Sequence, residues 1–364
     1  MTFLEQVKPY DQIKQEWIDQ CFNKSNSKKS KAAAELALKT FGKFLVEKYP
    51  GLEESKMIED LKTIQHDKEN YTKLYHFLNS FVQFMISKGN ASRTIQLNLA
   101  MLKSFFRFNG IRIYNEDSKQ FINIPKIIKE RKVPITHAIL AQLVKYANPE
   151  YGAFILFLAS SGMRLGEGLG IRISDLDLST NPVTIKVRAE IAKTREERIT
   201  FITRETYESI KPLLSKRLAI DYVFFPERTG DVSSRVEMTF DNIRERAGLE
   251  TRYQNGWNHV HIHALRSFFI SQCERVHEGF GHALAGHGKY MKEYESYSDE
   301  QLREFYLKIE PEVTVSNEGR LKAENTNKDK KLKEMESMKT ELNMMKDKVA
   351  RLEQARRNDT LQKK

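Results

Sequence analysis

Apolar residues recur at helical spacing through most of this chain and change to strict alternation in one short stretch. In residues 32–49, Ala34, Leu36, Leu38, Phe41, Leu45 and Val46 fall mostly on one helical face, and Pro50-Gly51 stops the run. A helix over 55–64 follows. Leu74, Phe77, Leu78, Phe81, Val82 and Met85 mark a third, with Gly89 as its C-cap. Ser92 opens a fourth and Gly110 closes it. Residues 31–115 therefore predict a compact helical module. Ahead of it, residues 1–30 form an N-terminal segment of mixed character that passes into a polar, basic loop at 23–31. Residues 116–134 read as a linker in which Pro125 and Pro134 bracket Lys126, Lys129, Arg131 and Lys132.

A second domain is expected over 135–313. Residues 136–147 give a short amphipathic helix, and 151–171 a strongly apolar one that breaks at Ser160-Ser161-Gly162 and leaves Arg164 beside the break. Val183, Ile185 and Val187 then alternate with polar residues, as do Ile199 and Phe201, so a β-hairpin turns near Lys193–Glu197. Helical patterns return over 203–217 and 234–249. Another runs through Leu265, Phe268, Phe269 and Ile270 and is expected to end near Gly279. Residues 314–364 form a charged tail without aromatics. In it Met335, Met338, Leu342, Met345, Val349 and Leu352 alternate spacings of three and four, a short heptad seam that favours self-association, with a solvated single helix as the rival reading. The fold class expected is mainly α with one small antiparallel sheet.

Charge narrows the partner. A formal net charge of +11 over 364 residues favours a polyanion, although basic tails produce the same total. Cys21 and Cys273 offer neither a metal-ligand spacing nor a disulfide framework, so a reducing compartment is the default. No apolar run has the length of a membrane span and the first residues lack a signal-peptide pattern, which together predict an intracellular protein.

The chemistry is concentrated between residues 164 and 297. His263 and Arg266 form a His-x-x-Arg pair, Gly286-His287 follows, and then come Tyr290, Tyr294 and Tyr297. Arginines neutralise the non-bridging oxygens of a phosphodiester, imidazoles move or share protons, and a phenol can attack phosphorus. Upstream, Arg164 supplies a second guanidinium, with Glu167 three residues on and on the same helical face to hold it. Lys193, at the hairpin turn, is a mobile point charge suited to protonating a leaving alkoxide. No carboxylate cluster or His/Cys cluster accompanies them, so no metal and no cofactor is expected. His282, in a second Gly-His, reads as a surface residue.

The ordered series Arg164, Lys193, His263, Arg266, His287 and a tyrosine, spread over about 130 residues, resembles the tyrosine recombinase (lambda-type integrase) family. The resemblance covers roughly residues 10–312 and leaves the tail outside. It implies a DNA-binding helical module paired with a catalytic domain across double-stranded DNA. It further implies a tyrosine that attacks the scissile phosphate to give a 3′-phosphotyrosyl link, with Lys193 protonating the 5′-oxygen. A 5′-hydroxyl then reseals without nucleotide cofactor, in a homotetramer on two sites, in the cytoplasm at the nucleoid. The run from Tyr294 to Val315 looks closest to archaeal and archaeal-virus integrases. Many family members place the nucleophile nine residues beyond the Gly-His histidine, whereas here 294 − 287 = 7 and 297 − 287 = 10. Tyr294 is favoured, because Ser298-Asp299-Glu300 looks like the cap of a further helix with Tyr297 at its entrance. Tyr297 stays the alternative. A nicking-resealing enzyme of the type IB topoisomerase kind, and a non-catalytic DNA-binding protein on the same scaffold, are the competing readings.

Overall fold

The structure, a computed structural model, describes residues 8–67, 69–127, 130–215, 217–287 and 297–362. It divides into two compact units at residues 130 and 131.

The first unit is helical: α1 (Tyr10–Ser25), α2 (Lys28–Lys48), α3 (Glu54–Ile64), α4 (Thr72–Ser87), α5 (Ser92–Phe108) and α6 (Asn115–Phe121). Its core is aromatic. Phe41, Phe44, Phe81 and Phe106 are fully buried and meet edge-on, as in Phe41–Phe106 at 5.7 Å and Phe44–Phe81 at 5.4 Å between ring centroids. Several expectations are corrected here. The polar run 23–31 is helical except at Asn26 and Ser27, and α1 buries Trp17, whose indole N–H donates to Ser104 Oγ at 3.3 Å. One apolar anchor outweighs the low hydropathy around it. Leu36 and Val46 face solvent, while Ala37 and Phe44 take the buried face of α2. Ser92 is the first helical residue and not the cap; the cap position belongs to Ala91. The linker begins as α6, which packs on α4.

The second unit is built around α8. Among the described residues its α-helices are α7 (His137–Tyr146), α8 (Pro149–Ser161), α9 (Leu165–Gly170), α10 (Arg204–Leu214), α11 (Val232–Arg246), α12 (Ile262–Cys273), α13 (Phe280–Ala285), α14 (Asp299–Val313) and α15 (Asn317–Gln362). Asn148 caps α8 by accepting from the Tyr151 N–H at 2.9 Å, and Pro149 fills a position where no N–H is needed. Every α8 residue from Gly152 to Ser161 is buried, as an all-round apolar helix requires. Packed on it are α7, α10, α12 and the antiparallel sheet of β1 (Leu176–Asp177), β2 (Val183–Val187) and β3 (Arg198–Ile202). Register pairs Val183 with Ile202, Ile185 with Thr200 and Val187 with Arg198. The fold is thus mainly helical with one small antiparallel sheet.

Two features at the α8 terminus place the site. Gly162, at φ +66°, turns the chain out of α8, and a Cβ there would lie 2.2 Å from the Phe269 ring. The freed carbonyls are taken up: Ser160 O accepts from the Tyr306 hydroxyl at 2.8 Å and Ser161 O from the Thr200 hydroxyl at 2.8 Å. Further on, α12 ends at Cys273, not near Gly279. The polar run 274–278 offers no apolar stripe to continue it, and Gly279 at φ +78° instead opens α13. Ser298 caps α14 in a reciprocal box with Gln301. Among the described residues no helix is long and apolar enough to cross a membrane.

Candidate active site

Arg164 stands at the entrance of α9, two residues beyond the Gly162 turn. Its Nη1 donates to Glu167 Oε1 at 2.9 Å and its backbone N–H to Glu167 Oε2 at 3.0 Å, so the expected partnership is present. Glu167 is buried, and Arg198 from β3 donates to its Oε2 at 2.6 Å. Burial disfavours the charged carboxyl. The Arg198 charge and hydrogen bond outweigh that cost, Arg164 adds to them, and the group ends below its ordinary range.

Arg266 is also buried and approaches from α12. Its Nη1 donates to Gly162 O at 2.8 Å and to Ala285 O, whereas its Nη2 is buried with no hydrogen-bond partner among the described residues. Desolvation first, and then the Arg164 charge, pull its pKa down to about 9, which leaves it a cation at neutral pH. One turn earlier on the same helix, His263 faces solvent. Partial desolvation and then Arg266 hold it below its usual pKa.

His287 follows α13 directly. Desolvation, then the charge of Arg266, lowers it to about 4, so the imidazole is neutral around pH 7. Its Nδ1 lies 2.6 Å from His282 Nδ1, one nitrogen donating and the other accepting. His282 is therefore no bystander on the surface, which corrects the sequence reading. That bond engages Nδ1 of His287 and not its Nε2.

Three successive carbonyls at the end of α13 meet three guanidinium groups. Leu284 O accepts from Arg198 Nε at 2.9 Å, Ala285 O from Arg266, and Gly286 O from Arg164 Nη2 at 3.4 Å. The carbonyl end of a helix carries partial negative charge, so it suits a cluster of cations. Arg198 was missed because it closes the charged run of the hairpin turn. The available signal was its phase, since it alternates with Thr200 and Ile202 on the inner face of β3.

Lys193 is exposed on the hairpin between β2 and β3 and pairs with no described residue. Tyr290 and Tyr294 lie outside the described residues. Tyr297 precedes the α14 cap and packs its ring on Phe305, centroids 5.5 Å apart. A cavity of about 330 Å³ beside His263 is lined by Lys132, His137, Tyr253, His259, His261 and Arg275 among others. Among the described residues no group of three or more His, Cys, Asp or Glu could hold a metal.

With that geometry in place, the likeness to known proteins can be stated. Residues 135–275 match the profile of the phage integrase family. Over that span the second unit is similar to members of that family. The matched span carries Arg164, Lys193, His263 and Arg266, while His287 and the tyrosines lie beyond it. Tyrosine recombinase XerC of Chlamydia pneumoniae is 28% identical over 200 residues, which cover 51% of this chain and 60% of that protein. XerC of Bacillus subtilis is 24% identical over 267 residues, 67% of this chain and 83% of the relative. In fold, the chain resembles a lambda integrase(75-356) dimer bound to a COC′ core site (TM-score 0.54, 14% identity, 80% of this chain and 99% of that one). It also resembles a lambda integrase tetramer bound to a Holliday junction (TM-score 0.53, 15% identity, 80% of each chain).

Proposed function

We propose that the protein is a site-specific DNA recombinase that cuts and rejoins duplex DNA through a 3′-phosphotyrosyl intermediate, integrating or excising a mobile element. The observation that carries this reading is the buried, unpartnered Nη2 of Arg266 in the same arginine cluster as Arg164. A buried guanidinium N–H without a partner is costly, and a phosphate oxygen is a ligand that would relieve it.

In this mechanism the tyrosine phenol attacks phosphorus. Arg164 and Arg266 hold the two non-bridging oxygens, His263 and His287 act as neutral hydrogen-bond and proton partners, and Lys193 gives a proton to the departing 5′-oxygen. The tyrosine oxygen then bears the 3′-phosphate. When the 5′-hydroxyl of a second duplex attacks, the bond passes back to DNA and the phenol is released, so no external energy source enters.

Tyr294 is assigned the attack. Supporting this, the Tyr297 ring is engaged by Phe305 at the start of α14. The relatives named recombinases, and the DNA-bound dimers and tetramers of similar fold, support duplex DNA and a homo-oligomer, a tetramer on two sites, as the partners, with the nucleoid as the place of action. Within the first unit, the helical module 31–115 would be the DNA-binding module and 116–134 a basic connection along the backbone. Affiliation with archaeal integrases rests on residues 294–315 alone; among the relatives, the cellular ones are bacterial and another is a probable integrase/recombinase of Acholeplasma phage L2.

The test uses a nicked duplex whose cleavage releases a short strand and traps the adduct, in EDTA. Wild-type protein should give a covalent band that maps to the peptide containing Tyr294. Tyr294→Phe should bind DNA and give none, and Tyr297→Phe should keep it. An adduct on Tyr297 would reassign the nucleophile; no wild-type adduct on any accepted site would remove the recombinase reading.

A further inference from the structure

Arg198 and Glu167 form a buried ion pair that the transfer steps above do not use. Their side chains are 5% and 2% exposed. Such a pair adds little stability over an apolar pair of equal volume, because both charges lose their water. Stability alone is thus a poor reason for it.

Its geometry supplies another. The carboxylate of Glu167 accepts four times: from the Arg164 backbone N–H and Nη1, and from Arg198 Nη2 and, at 3.5 Å, Nη1. Arg198 then uses its remaining Nε–H on Leu284 O at 2.9 Å. Only a planar fork with five donors spans a carboxylate on one side and a carbonyl on the other. Gly286 lies against that fork. A Cβ at 286 would sit 2.9 Å from Arg198 Cζ and Nε, and the residue has φ +79°. The glycine before His287 is therefore what lets the chain close over Arg198.

We propose that Arg198 is a positioning residue for phosphoryl transfer: from β3 it ties Glu167, and through it Arg164, to the end of α13 that presents His287. It touches no reacting atom, since it is enclosed. Without it Arg164 loses the orientation of its carboxylate partner and the Gly286-His287 turn loses its floor. Misplacement of that order in a phosphate site is worth roughly 100-fold in rate. The inference rests on the recombinase reading and is tested beside it.

The experiment measures single-turnover adduct formation by the full chain on the trapping duplex, and DNA affinity in parallel. Arg198→Met removes the charge at similar length. It should slow adduct formation about 100-fold while DNA affinity stays within about twofold. Arg198→Lys, which can reach Glu167 or Leu284 O but not both, should fall between. The decisive comparison replaces the scissile phosphate by a methylphosphonate, which lacks one charged oxygen and asks less of Arg164. The deficit of Arg198→Met relative to wild type should then shrink to a few-fold. Damage that is merely structural gives the same deficit on both substrates, and that result, or cleavage within twofold of wild type, overturns the proposal. If Arg198→Met does not fold, Arg198→Lys carries the same two-substrate comparison. Failure of the wild-type protein to form any adduct would count against the recombinase reading instead.

Discussion

His287 shows what a single side chain inherits from its surroundings. An imidazole that titrates at 6.5 in a free chain is held at about 4 by lost hydration and by the Arg266, His282, Arg164 and His263 charges. The sign of the consequence follows from proton uptake. Between pH 6.5 and 4 the unfolded chain binds a proton at this residue that the folded chain refuses, so stability is present above pH 6.5 and is lost as the pH falls toward 4. His263, depressed by similar causes, adds to the same slope. Solvent at the ring limits the His287 share to about 1 kcal/mol. Denaturant midpoints at pH 7 and pH 5 should therefore converge in His287→Asn relative to wild type. Identical pH slopes in the two proteins would show that this imidazole is not held neutral by the fold.

At the scale of elements, the turn between α8 and α9 decides where Arg164 goes. One glycine in it and one just inside α9 make opposite predictions. Gly162→Ala places a Cβ against the Phe269 ring at a left-handed backbone position, and should destabilise by about 3 kcal/mol or more. Gly166→Ala, four residues on, meets nothing within 4 Å in an ordinary helical position, and should be neutral or gain about 0.5 kcal/mol. Equal midpoint shifts in thermal melts would contradict the packing described. This turn, the hairpin and the Arg164–Glu167 pair were legible in the sequence because each is local: a broken apolar run, an alternation, a spacing of three. Most of what escaped was made by distance in the chain. Arg198 looks like turn charge until Glu167, 31 residues upstream, comes to it. His282 is a local miss: it looks superficial until the close of α13 at Gly286 turns His287 back onto its ring five residues earlier. The N-terminal helix was hidden for a related reason, since Trp17 is an isolated apolar signal whose pocket comes from α5 and neighbouring helices.

For the whole molecule the distinctive part is α15. Its first turns are docked, with Gly319 against Thr314 and the Asn327 side chain donating to Leu307 O at 2.8 Å. Beyond them Met335, Met338, Leu342, Met345 and Val349 are more than half exposed along one seam. Glu341 and Lys346, five residues apart and flanking it, are spaced to attract across a parallel pair of helices in register. Ending the chain after Lys331 would keep the docked turns and remove the seam. Sedimentation should show a weaker oligomer while adduct formation on a single site persists. An unchanged sedimentation coefficient would separate α15 from assembly.

The carbonyl end of α13 also settles an electrostatic balance. Arg164, Arg198 and Arg266 bring three positive charges and Glu167 one negative, so these four side chains carry 3 − 1 = +2, and the depressed His263 and His287 add none at pH 7. A resting phosphodiester carries a single negative charge. When a fifth oxygen joins phosphorus, the non-bridging oxygens together approach two. In the proposed reaction a cluster whose charge matches that of the five-coordinate species, and exceeds that of the intact strand, would hold DNA less firmly at rest than at the instant of exchange, before the Lys193 charge is added. The helix dipole lets the three cations crowd together beforehand, so the excess is already in place when the strand arrives.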